Sequence, residues 1–490
     1  MLLSSNQVHE RQRRQSMNQN NEVPTKLHAK LITVATIGAV GGFLFGYDTS
    51  VINGAVDAIA SPDSGFGLNA AMSGFSVSSA MIGCVVGAWF AGTLADRIGR
   101  VRVMQLAAAL FVFSALFTGL ASNIWVFVIF RIVGGLGVGF TSAIGPAYIS
   151  EISPSSRRGF LTGFQQMAIA LGIVASLVVN DSYLLGSGGA AVTFWAGLET
   201  WRWMLMTTAV PGVIMFALTF ALPESPRYLV MKGKKAIAEK VLLEVVGDRN
   251  ASATVEQIAQ SLEGETQPKV SDLRGKTFGL KSVVWIGIGV ALFQQVSGAN
   301  VIMFYDSSLW KAVGFTESAS MTIAVVRALL ATAVTVLGML IIDKVGRRAM
   351  LKVGSLIMAV LLVVVAVCFA QSTMTADGGI ELPGAWAIIM IIGAYGFFLT
   401  YCATWGVAMW VVIGEIFPNR IRAVAVALAT AANWIGNFLV STTFPPLRDS
   451  LGLTWTFALY AVMAVLGYWF IAKKLPETNG VELEDMKAEI

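Results

Sequence analysis

The chain has 490 residues, of which 56% are hydrophobic and 13% charged, and its formal net charge is +5. Together with a mean hydropathy of +0.70, these values exclude an ordinary soluble globular protein and indicate an integral membrane protein. The three cysteines stand apart in apolar runs, and both histidines lie in the polar N-terminal tail. We therefore expect no disulfide, no metal site and no cofactor.

Twelve apolar runs are each long enough to cross the hydrocarbon core of a bilayer, which is about 30 Å thick. Only helices satisfy every backbone group of such a run in lipid, so the predicted fold class is an all-α integral membrane bundle. The polar N-terminal tail has no apolar signal-peptide core, and we expect no cleaved leader. The runs, numbered here as spans one to twelve, cover residues 31–60, 69–94, 103–122, 124–150, 160–182, 203–222, 280–310, 317–342, 349–371, 384–413, 421–443 and 453–472.

Positive charge is concentrated in the connectors that follow even-numbered spans. In the connectors that follow odd-numbered spans, Lys311 and Arg448 are the clearest cations. By the positive-inside rule, the basic connectors and both chain termini are predicted to be cytoplasmic, in a multi-pass protein of the cell membrane. The basic balance is then a signal of topology in a lipid bilayer, and it does not favour nucleic-acid binding. The cations of these connectors include Arg97, Arg100, Arg102, Arg157, Arg158, Lys344, Arg347, Arg348, Arg420 and Arg422.

A polar segment divides the spans into six and six, and three motifs recur after matching spans. GTLADRIGR after span two resembles GMLIIDKVGRR after span eight, ISEISPSSRR resembles IGEIFPNRIR, and PESPR resembles PETNG. Such an internal repeat indicates duplication of a six-helix unit, as in alternating-access transporters. The predicted organisation is a cytoplasmic tail 1–30, a six-helix bundle 31–222, a cytoplasmic linker with short helices 223–279, a second bundle 280–475 and a cytoplasmic tail 476–490.

Two opposite charges fall within spans one and four. A charge at the centre of a spanning helix costs about 2.5–3.5 kcal/mol, so such a residue usually serves function. At about 1.5 Å per residue, Asp48 lies roughly 16 Å and Arg131 roughly 12 Å below the outer side, so the two can meet. We predict that Asp48 binds a proton and thereby releases Arg131; the alternative is a static ion pair that only fixes helix packing.

The basic connectors suggest a cytoplasmic latch that gates the transporter. Glycine and aspartate beside arginine form a pattern that goes beyond the charge needed for topology, although topology alone remains the alternative. Glu151 and Glu415 are the expected acceptors for the arginines. The gating residues predicted on this side are Asp96, Arg100, Glu151, Arg158, Asp343, Arg347, Glu415 and Arg422.

Nine motifs between residues 41 and 480 resemble, in order, those of the sugar porter family of the major facilitator superfamily. They read FGYDTSVINGA, ADRIGR, RIVGGLGVGF, PAYISEISPSSRRG, PESPRYL, FQQVSGANVIMFY, DKVGRR, GEIFPNRIRA and PETNG. The pattern is most similar to bacterial proton-coupled hexose permeases, particularly glucose permeases of the actinobacterial type. The resemblance implies twelve transmembrane helices in two six-helix pseudo-repeat bundles, the major facilitator fold, with a sugar bound between the halves.

The resemblance also implies which side chains contact the sugar. Amides both donate and accept hydrogen bonds, as the hydroxyls of a neutral polyol do, and an indole offers an apolar face with one N–H donor. The alternatives are helix–helix hydrogen bonds for the amides and simple packing for the tryptophans. The implied contacts are Gln166 in span five, Gln294, Gln295 and Asn300 in span seven, Trp410 in span ten, and Asn433 and Trp434 in span eleven.

The chain departs from the family pattern at several positions. Phe304 and Tyr305 stand where the family has two tyrosines at an outer gate, and span ten has Val407 in place of a proline. In span eight, Ala331 replaces an asparagine that binds sugar in the family, and Arg327 lies one turn outward. Arg327 either extends toward the outer surface or pairs with an acid such as Asp306, or it reaches the cavity and alters selectivity toward a more anionic or differently hydroxylated ligand.

The expected function is proton-coupled import of a monosaccharide, glucose or a related hexose, by a protein that acts as a monomer. A cyclitol such as myo-inositol, a pentose, a sugar acid or uncoupled transport are alternatives, and a drug antiporter fits the architecture alone. A transport-silent sugar sensor is the alternative from a different class. An enzyme is not expected, because the apolar runs contain no histidine, nucleophile elbow or paired carboxylates.

Overall fold

The computed structural model of the protein describes residues 25–154, 158–264, 270–312, 314–374, 380–383, 385–418 and 421–478. Within these ranges the chain is almost entirely helical. The strand structure that they contain is confined to connectors: Arg274–Thr277, and Thr373–Met374 paired antiparallel with Ile380–Glu381. The predicted all-α fold class is confirmed.

Six spans form the first half of the molecule. Side chains of Asn69 and Asn123 cap spans two and four by accepting hydrogen bonds from the backbone N–H groups of the first turn. Span one continues past its α-helix as a 3₁₀ turn, Ile52–Gly54, and a short helix, Val56–Ala60. The helices are Thr25–Val51 for span one, Ala70–Ile98 for two, Arg100–Gly119 for three, Ile124–Ile152 for four, Arg158–Ser187 for five, and Thr200–Met206 with Ala209–Thr219 for six.

The second half repeats this arrangement. Spans eleven and twelve form one helical run that is interrupted at Gly452, where φ is 78° and ψ is 164°, a conformation that favours glycine. The stretch Val424–Lys474 has 51 residues, which is enough for two crossings, one on each side of Gly452. The helices are Ser282–Val296 and Ala299–Ala312 for span seven, Glu317–Val345 for eight, Arg347–Ala370 for nine, Trp386–Ala403 and Trp405–Glu415 for ten, and Arg422–Lys474 for eleven and twelve.

The polar segment between spans six and seven contains short helices. They are Pro226–Met231, Lys235–Val241 with a π-helical continuation Leu242–Val246, and Ala251–Gly264. The side chain of Ser225 caps the first of them. These helices stay close to the first half, since Lys30 of span one pairs with Glu244 at 3.6 Å.

Small residues let the spans of the first half approach closely. A Cβ atom on Gly135 would overlap the carbonyl oxygen of Ala80, and one on Gly46 would overlap that of Ile169. Close approach through such residues is a general device of membrane helix packing, where lipid removes most of the hydrophobic driving force. As a result span four packs tightly against span two and also contacts span one, which brings Arg131 against Asp48.

Two helix pairs form the most extensive contacts between the halves. Span two packs against span eleven, and span five packs against span eight. The end of the bundle that carries Arg100 and Arg347 is called the basic end below, and the other is called the opposite end.

Candidate functional site

A cavity of about 160 Å³ lies between the two halves. Span five supplies its wall from the first half, and spans seven, eight and ten supply the wall from the second. The mixture of apolar and polar groups suits a ligand with both ring carbons and hydroxyls. The lining residues are Gln166, Ile169, Ala170, Ile173, Asn300, Met303, Arg327, Ala328, Ala331, Thr332, Thr335, Phe398, Tyr401, Cys402 and Gly406.

Two of the predicted sugar-contacting amides, Gln166 and Asn300, line this cavity. Behind Asn300 the other predicted amides form a buried cluster, the amide cluster, made of Gln294, Gln295, Asn300 and Asn433. Gln295 donates to Asn433 at 3.0 Å and accepts from Asn300, and Asn433 donates to Gln294 at 2.7 Å. The structure therefore brings these four residues together and connects them to the cavity through Asn300.

The predicted tryptophans lie in different surroundings. Trp434 is buried, its indole N–H has no hydrogen-bond partner within the described ranges, and its ring lies 5.6 Å from that of Phe45 in the other half. Trp410 is 43% exposed and is not among the cavity-lining residues. Trp405, which the sequence analysis did not single out, is buried; its indole donates to Ser355 at 2.9 Å and its carbonyl oxygen accepts from Gln294 at 3.1 Å.

Spans one and four bring Asp48 and Arg131 into contact. The Arg131 Nη1 to Asp48 Oδ2 distance is 3.5 Å, and the two side chains are 3% and 5% exposed for the arginine and the acid. The remaining guanidinium nitrogens Nε and Nη2 of Arg131 are buried without a hydrogen-bond partner among the described residues. This is a loose ion pair, in which one long contact joins two charges that water scarcely reaches.

A second buried ion pair joins Arg327 of span eight to Asp306 of span seven. The Arg327 Nε to Asp306 Oδ2 distance is 2.7 Å, and each side chain is 1% exposed. Trp310 donates to Asp306 at 2.7 Å and Tyr395 donates to it at 3.3 Å. Of the alternatives for Arg327, pairing with Asp306 is confirmed, and Arg327 also lines the cavity.

Hydrogen bonds join the halves at the opposite end. Asn53 of the first half donates to the carbonyl oxygen of Met303 at 3.1 Å and accepts from the backbone N–H of Ser307 at 3.2 Å. Beyond it, Lys311 pairs with Asp57 at 3.0 Å. The cavity is therefore covered on this side by direct contacts between spans one and seven.

The two predicted outer-gate residues belong to this closed region. Phe304 and Tyr305 are 2% and 1% exposed. Tyr305 has non-helical torsions, φ −117° and ψ 19°, and its hydroxyl donates to the carbonyl oxygen of Ser441 at 3.0 Å. Its ring centroid lies 5.0 Å from that of Phe444. Span seven bends at Tyr305 and packs against span eleven, and the gating role of both residues stays a prediction.

An arginine cluster at the basic end belongs to the first half. Arg100 pairs with Asp96 at 2.8 Å and with Glu151 at 3.0 Å. Glu224 accepts from the backbone N–H of Arg100 at 3.0 Å, and Ser225 donates to Glu151. Burial raises the pKa of the Glu224 carboxyl above its ordinary value, and backbone N–H donors oppose that shift. The PESPR motif thus holds the arginine cluster in place.

The second half has a matching cluster at the basic end. Arg347 pairs with Asp343 at 2.8 Å and with Glu415 at 2.9 Å. Glu477 accepts from the backbone N–H of Arg347 at 2.9 Å, and Thr478 donates to Glu415 at 2.7 Å. The repeated motifs therefore build the same device twice.

Two other arginines were predicted to belong to these clusters. Arg422 donates from Nε to the carbonyl oxygen of Phe417 at 3.1 Å. The side chain of Arg158 lies outside the described residues. A gating role for either arginine stays a prediction.

Replacing Gly346 by alanine is expected to destabilise the fold by about 1–3 kcal/mol, the usual cost of holding a side chain in a glycine-only backbone conformation. Gly346 has φ 86° and ψ 149°, and a Cβ there would lie 2.9 Å from Glu477 Oε2. Thermal unfolding of the purified protein in detergent measures the effect. Gly92→Ala is the control, because a Cβ in that helical position meets nothing within 4 Å. Equal melting temperatures for the two variants would contradict the expectation.

The family model "Sugar (and other) transporter" matches residues 34–490. The chain belongs to this sugar transporter family. The transporter is 41% identical over 457 residues to the glucose transport protein of Synechocystis sp., which covers 93% of this chain and 97% of the relative. It is 35% identical over 457 residues to the arabinose-proton symporter of Bacillus subtilis, with 93% and 94% covered.

Solved structures of the same family share the transporter's fold. The inward-open xylose transporter XylE from E. coli matches with a TM-score of 0.78 and 30% identity, over 93% of this chain and 99% of XylE. XylE bound to 6-bromo-6-deoxy-D-glucose matches with a TM-score of 0.75 and 30% identity, over 94% and 98%. The transporter therefore has the twelve-helix major facilitator fold in two pseudo-repeat bundles, and it is a multi-pass membrane protein and not an enzyme.

Proposed function

We propose that the protein is a proton-coupled symporter that imports a monosaccharide, glucose or a related hexose, by alternating access. The observation that carries this proposal is the loose buried pair of Asp48 and Arg131 in a sugar transporter whose cavity wall includes the amides of Gln166 and Asn300. Relatives at 41% and 35% identity are described as a glucose transport protein and an arabinose-proton symporter. Their names support a sugar and a proton as the partners of this chain.

The coupling step is a proton exchange at one carboxyl group. When the Asp48 carboxylate binds a proton from outside, it becomes neutral and its Coulomb attraction to Arg131 is lost. In the part of the chain that the structure describes, Nε and Nη2 of this guanidinium already lack partners, and the group is then free to take a different arrangement against span one. Because each arrangement favours one orientation of the halves, proton binding shifts the balance between them, and release inside restores the pair.

Asp48 suits this role better than Asp306, the other buried acid beside an arginine. A proton at Asp306 competes with donors on Arg327, Trp310 and Tyr395, at distances between 2.7 and 3.3 Å. Among the described residues, a proton at Asp48 competes with one donor, Arg131 Nη1 at 3.5 Å. The loose pair is therefore the one that can exchange its partner at small cost.

The substrate is proposed to be a neutral sugar. Gln166 and Asn300 present uncharged amides to the cavity, and Asp306 offsets the charge of Arg327. Hydroxyl groups of a neutral polyol match such donors and acceptors, whereas a sugar acid would bring an uncompensated charge into a buried site. A pentose is the second candidate, supported by relatives described as a D-xylose transporter and an arabinose-proton symporter at 34% and 35% identity.

The proposed topology places the basic end and both termini in the cytoplasm of the cell that expresses the protein. Arginines concentrate at that end, as the positive-inside rule requires. The halves 31–222 and 280–475 are proposed to rock as units about the cavity, joined by segment 223–279 and flanked by tails 1–30 and 476–490. The contacts of Asn53 and Lys311 then close the outer side, in an inward-facing state of a functional monomer.

Uptake into proteoliposomes tests the proposal. Purified protein is reconstituted, and counterflow is measured with a panel of hexoses, pentoses, myo-inositol and sugar acids, with and without an inward proton gradient. We expect counterflow of a hexose without the gradient and accumulation of the same hexose with it. Counterflow that a proton gradient never converts into accumulation would contradict the coupling, and preference for a pentose, cyclitol or sugar acid would contradict the substrate.

A further inference from the structure

The internal repeat places a second acid at the position of span seven that corresponds to Asp48. Span one contains Tyr47-Asp48-Thr49-Ser50, and span seven contains Tyr305-Asp306-Ser307-Ser308. The partner of the first acid, Arg131, packs within the first half. The partner of the second, Arg327, lies on the wall of the central cavity. The two ion pairs are therefore related by the repeat but face different surroundings.

The guanidinium of Arg327 has a donor group, Nη2, that no described residue engages. Its Nε is held by Asp306 at 2.7 Å, and its carbon lies 4.5 Å from the centroid of the Phe398 ring. Nη2 is buried without a hydrogen-bond partner, in a residue that is 1% exposed. A buried charged donor without an acceptor is costly, so an acceptor supplied by a ligand gains a strong hydrogen bond there.

The other side chains on this wall make the Arg327 donor more important for binding a ligand. Ala328 and Ala331, which flank Arg327 on the cavity side of span eight, contribute only methyl groups. Thr332 and Thr335 form hydrogen bonds to backbone carbonyl oxygens of their own helix at 2.9 and 2.8 Å. Arg327 is thus the charged donor that span eight presents to the cavity.

We propose that Arg327 is a specificity-determining residue that donates from Nη2 to one hydroxyl oxygen of a neutral sugar, and that Asp306 is its positioning residue. Asp306 holds the guanidinium through Nε and balances its charge, so the pair recognises an oxygen acceptor without attracting an anion. This inference rests on the proposed function, because it assigns part of the binding energy of the same cavity.

The test uses glucose and its derivatives that each lack one hydroxyl, as competitors of counterflow in proteoliposomes. In the unmodified protein, one derivative is expected to compete about 10- to 100-fold less well than glucose because it leaves Nη2 without an acceptor. Arg327→Lys retains a cation for Asp306 but loses the planar fork of donors. In that variant we expect the discrimination against this one derivative to disappear, while the effects of the other missing hydroxyls remain.

A second variant covers the case in which Arg327→Lys does not fold. Arg327→Leu combined with Asp306→Asn removes both charges together and keeps an amide oxygen that accepts from Trp310. It should lose the same discrimination. Arg448→Ala with Asp449→Ala is the matched control, because it deletes an ion pair of 2.8 Å whose side chains are 39% and 48% exposed. The control should keep the pattern of the unmodified protein.

The outcomes separate this inference from the proposed function. An unmodified protein that shows counterflow with no sugar would contradict the function itself. Counterflow with an unchanged pattern of discrimination in the Arg327 variants would overturn the inference alone. If the Arg327 variants instead bind glucose and every derivative more weakly by the same factor, the inference would also be overturned, since that result assigns Arg327 a structural role only.

Discussion

Replacing Asp48 by asparagine is expected to abolish accumulation of sugar against a gradient while exchange at equilibrium continues. Asparagine has nearly the volume of aspartate, so the packing around the Arg131 contact of 3.5 Å is retained. It cannot bind and release a proton, so the sugar gradient loses its link to the proton gradient. With one proton per sugar, a difference of one pH unit can drive about 10-fold accumulation, and in the variant the ratio of inside to outside sugar should fall to one.

The measurement is uptake of labelled sugar into proteoliposomes with an imposed pH difference, beside counterflow without one. Asp449→Asn is a matched control, because that carboxylate is 48% exposed and forms its ion pair among the described residues with its neighbour Arg448. It should accumulate sugar normally. If the Asp48 variant still concentrates sugar, proton coupling takes place elsewhere, and Asp306 becomes the next acid to replace.

A disulfide between Ser78→Cys and Thr442→Cys is expected to stop transport reversibly. Ser78 of span two and Thr442 of span eleven lie in different halves, and their side-chain oxygens are 2.5 Å apart. Gly74, one turn away, has no room for a Cβ against the carbonyl oxygen of Thr442. The two backbones are therefore close enough for a disulfide to form. The alternating access proposed above requires these helices to separate, so oxidation should hold the protein in one state.

Counterflow is measured before oxidation, after oxidation and after reduction. The native cysteines Cys84, Cys368 and Cys402 are first replaced by serine or alanine, and each single cysteine variant serves as a control. Loss of counterflow in the double variant alone, with recovery on reduction, is the expected result. Full activity of the oxidised and demonstrably cross-linked protein would show that these two helices need not move apart.

Depth and charge were enough to predict that Asp48 and Arg131 can meet. The depths of both residues follow from counting residues along apolar runs. An unpaired charge in lipid is so costly that each of the two needs a partner of opposite charge at similar depth. The repeated motifs predicted the arginine clusters, because Arg100 and Glu151 in the first half stand at the same places as Arg347 and Glu415 in the second. In these cases a short stretch of sequence identifies the charged residue, and the high cost of leaving its charge unpaired requires a partner.

Other features depend on helix rotation, which a single sequence does not specify. Trp405 and Trp410 lie in the same span, yet one is 2% and the other 43% exposed. The spacing of residues within span ten does not say which tryptophan turns toward span seven. The pair of Asp306 and Arg327 was predicted only as one of three alternatives for Arg327, because two positions on neighbouring helices can satisfy several arrangements.

The amide cluster has a consequence for how firmly a sugar can be held. Asn300, Gln295, Asn433 and Gln294 already satisfy one another. A sugar that engages Asn300 must replace an existing hydrogen bond by a new one, so the net gain is small. Modest affinity favours a carrier, because a substrate that is bound too tightly would dissociate slowly and limit turnover.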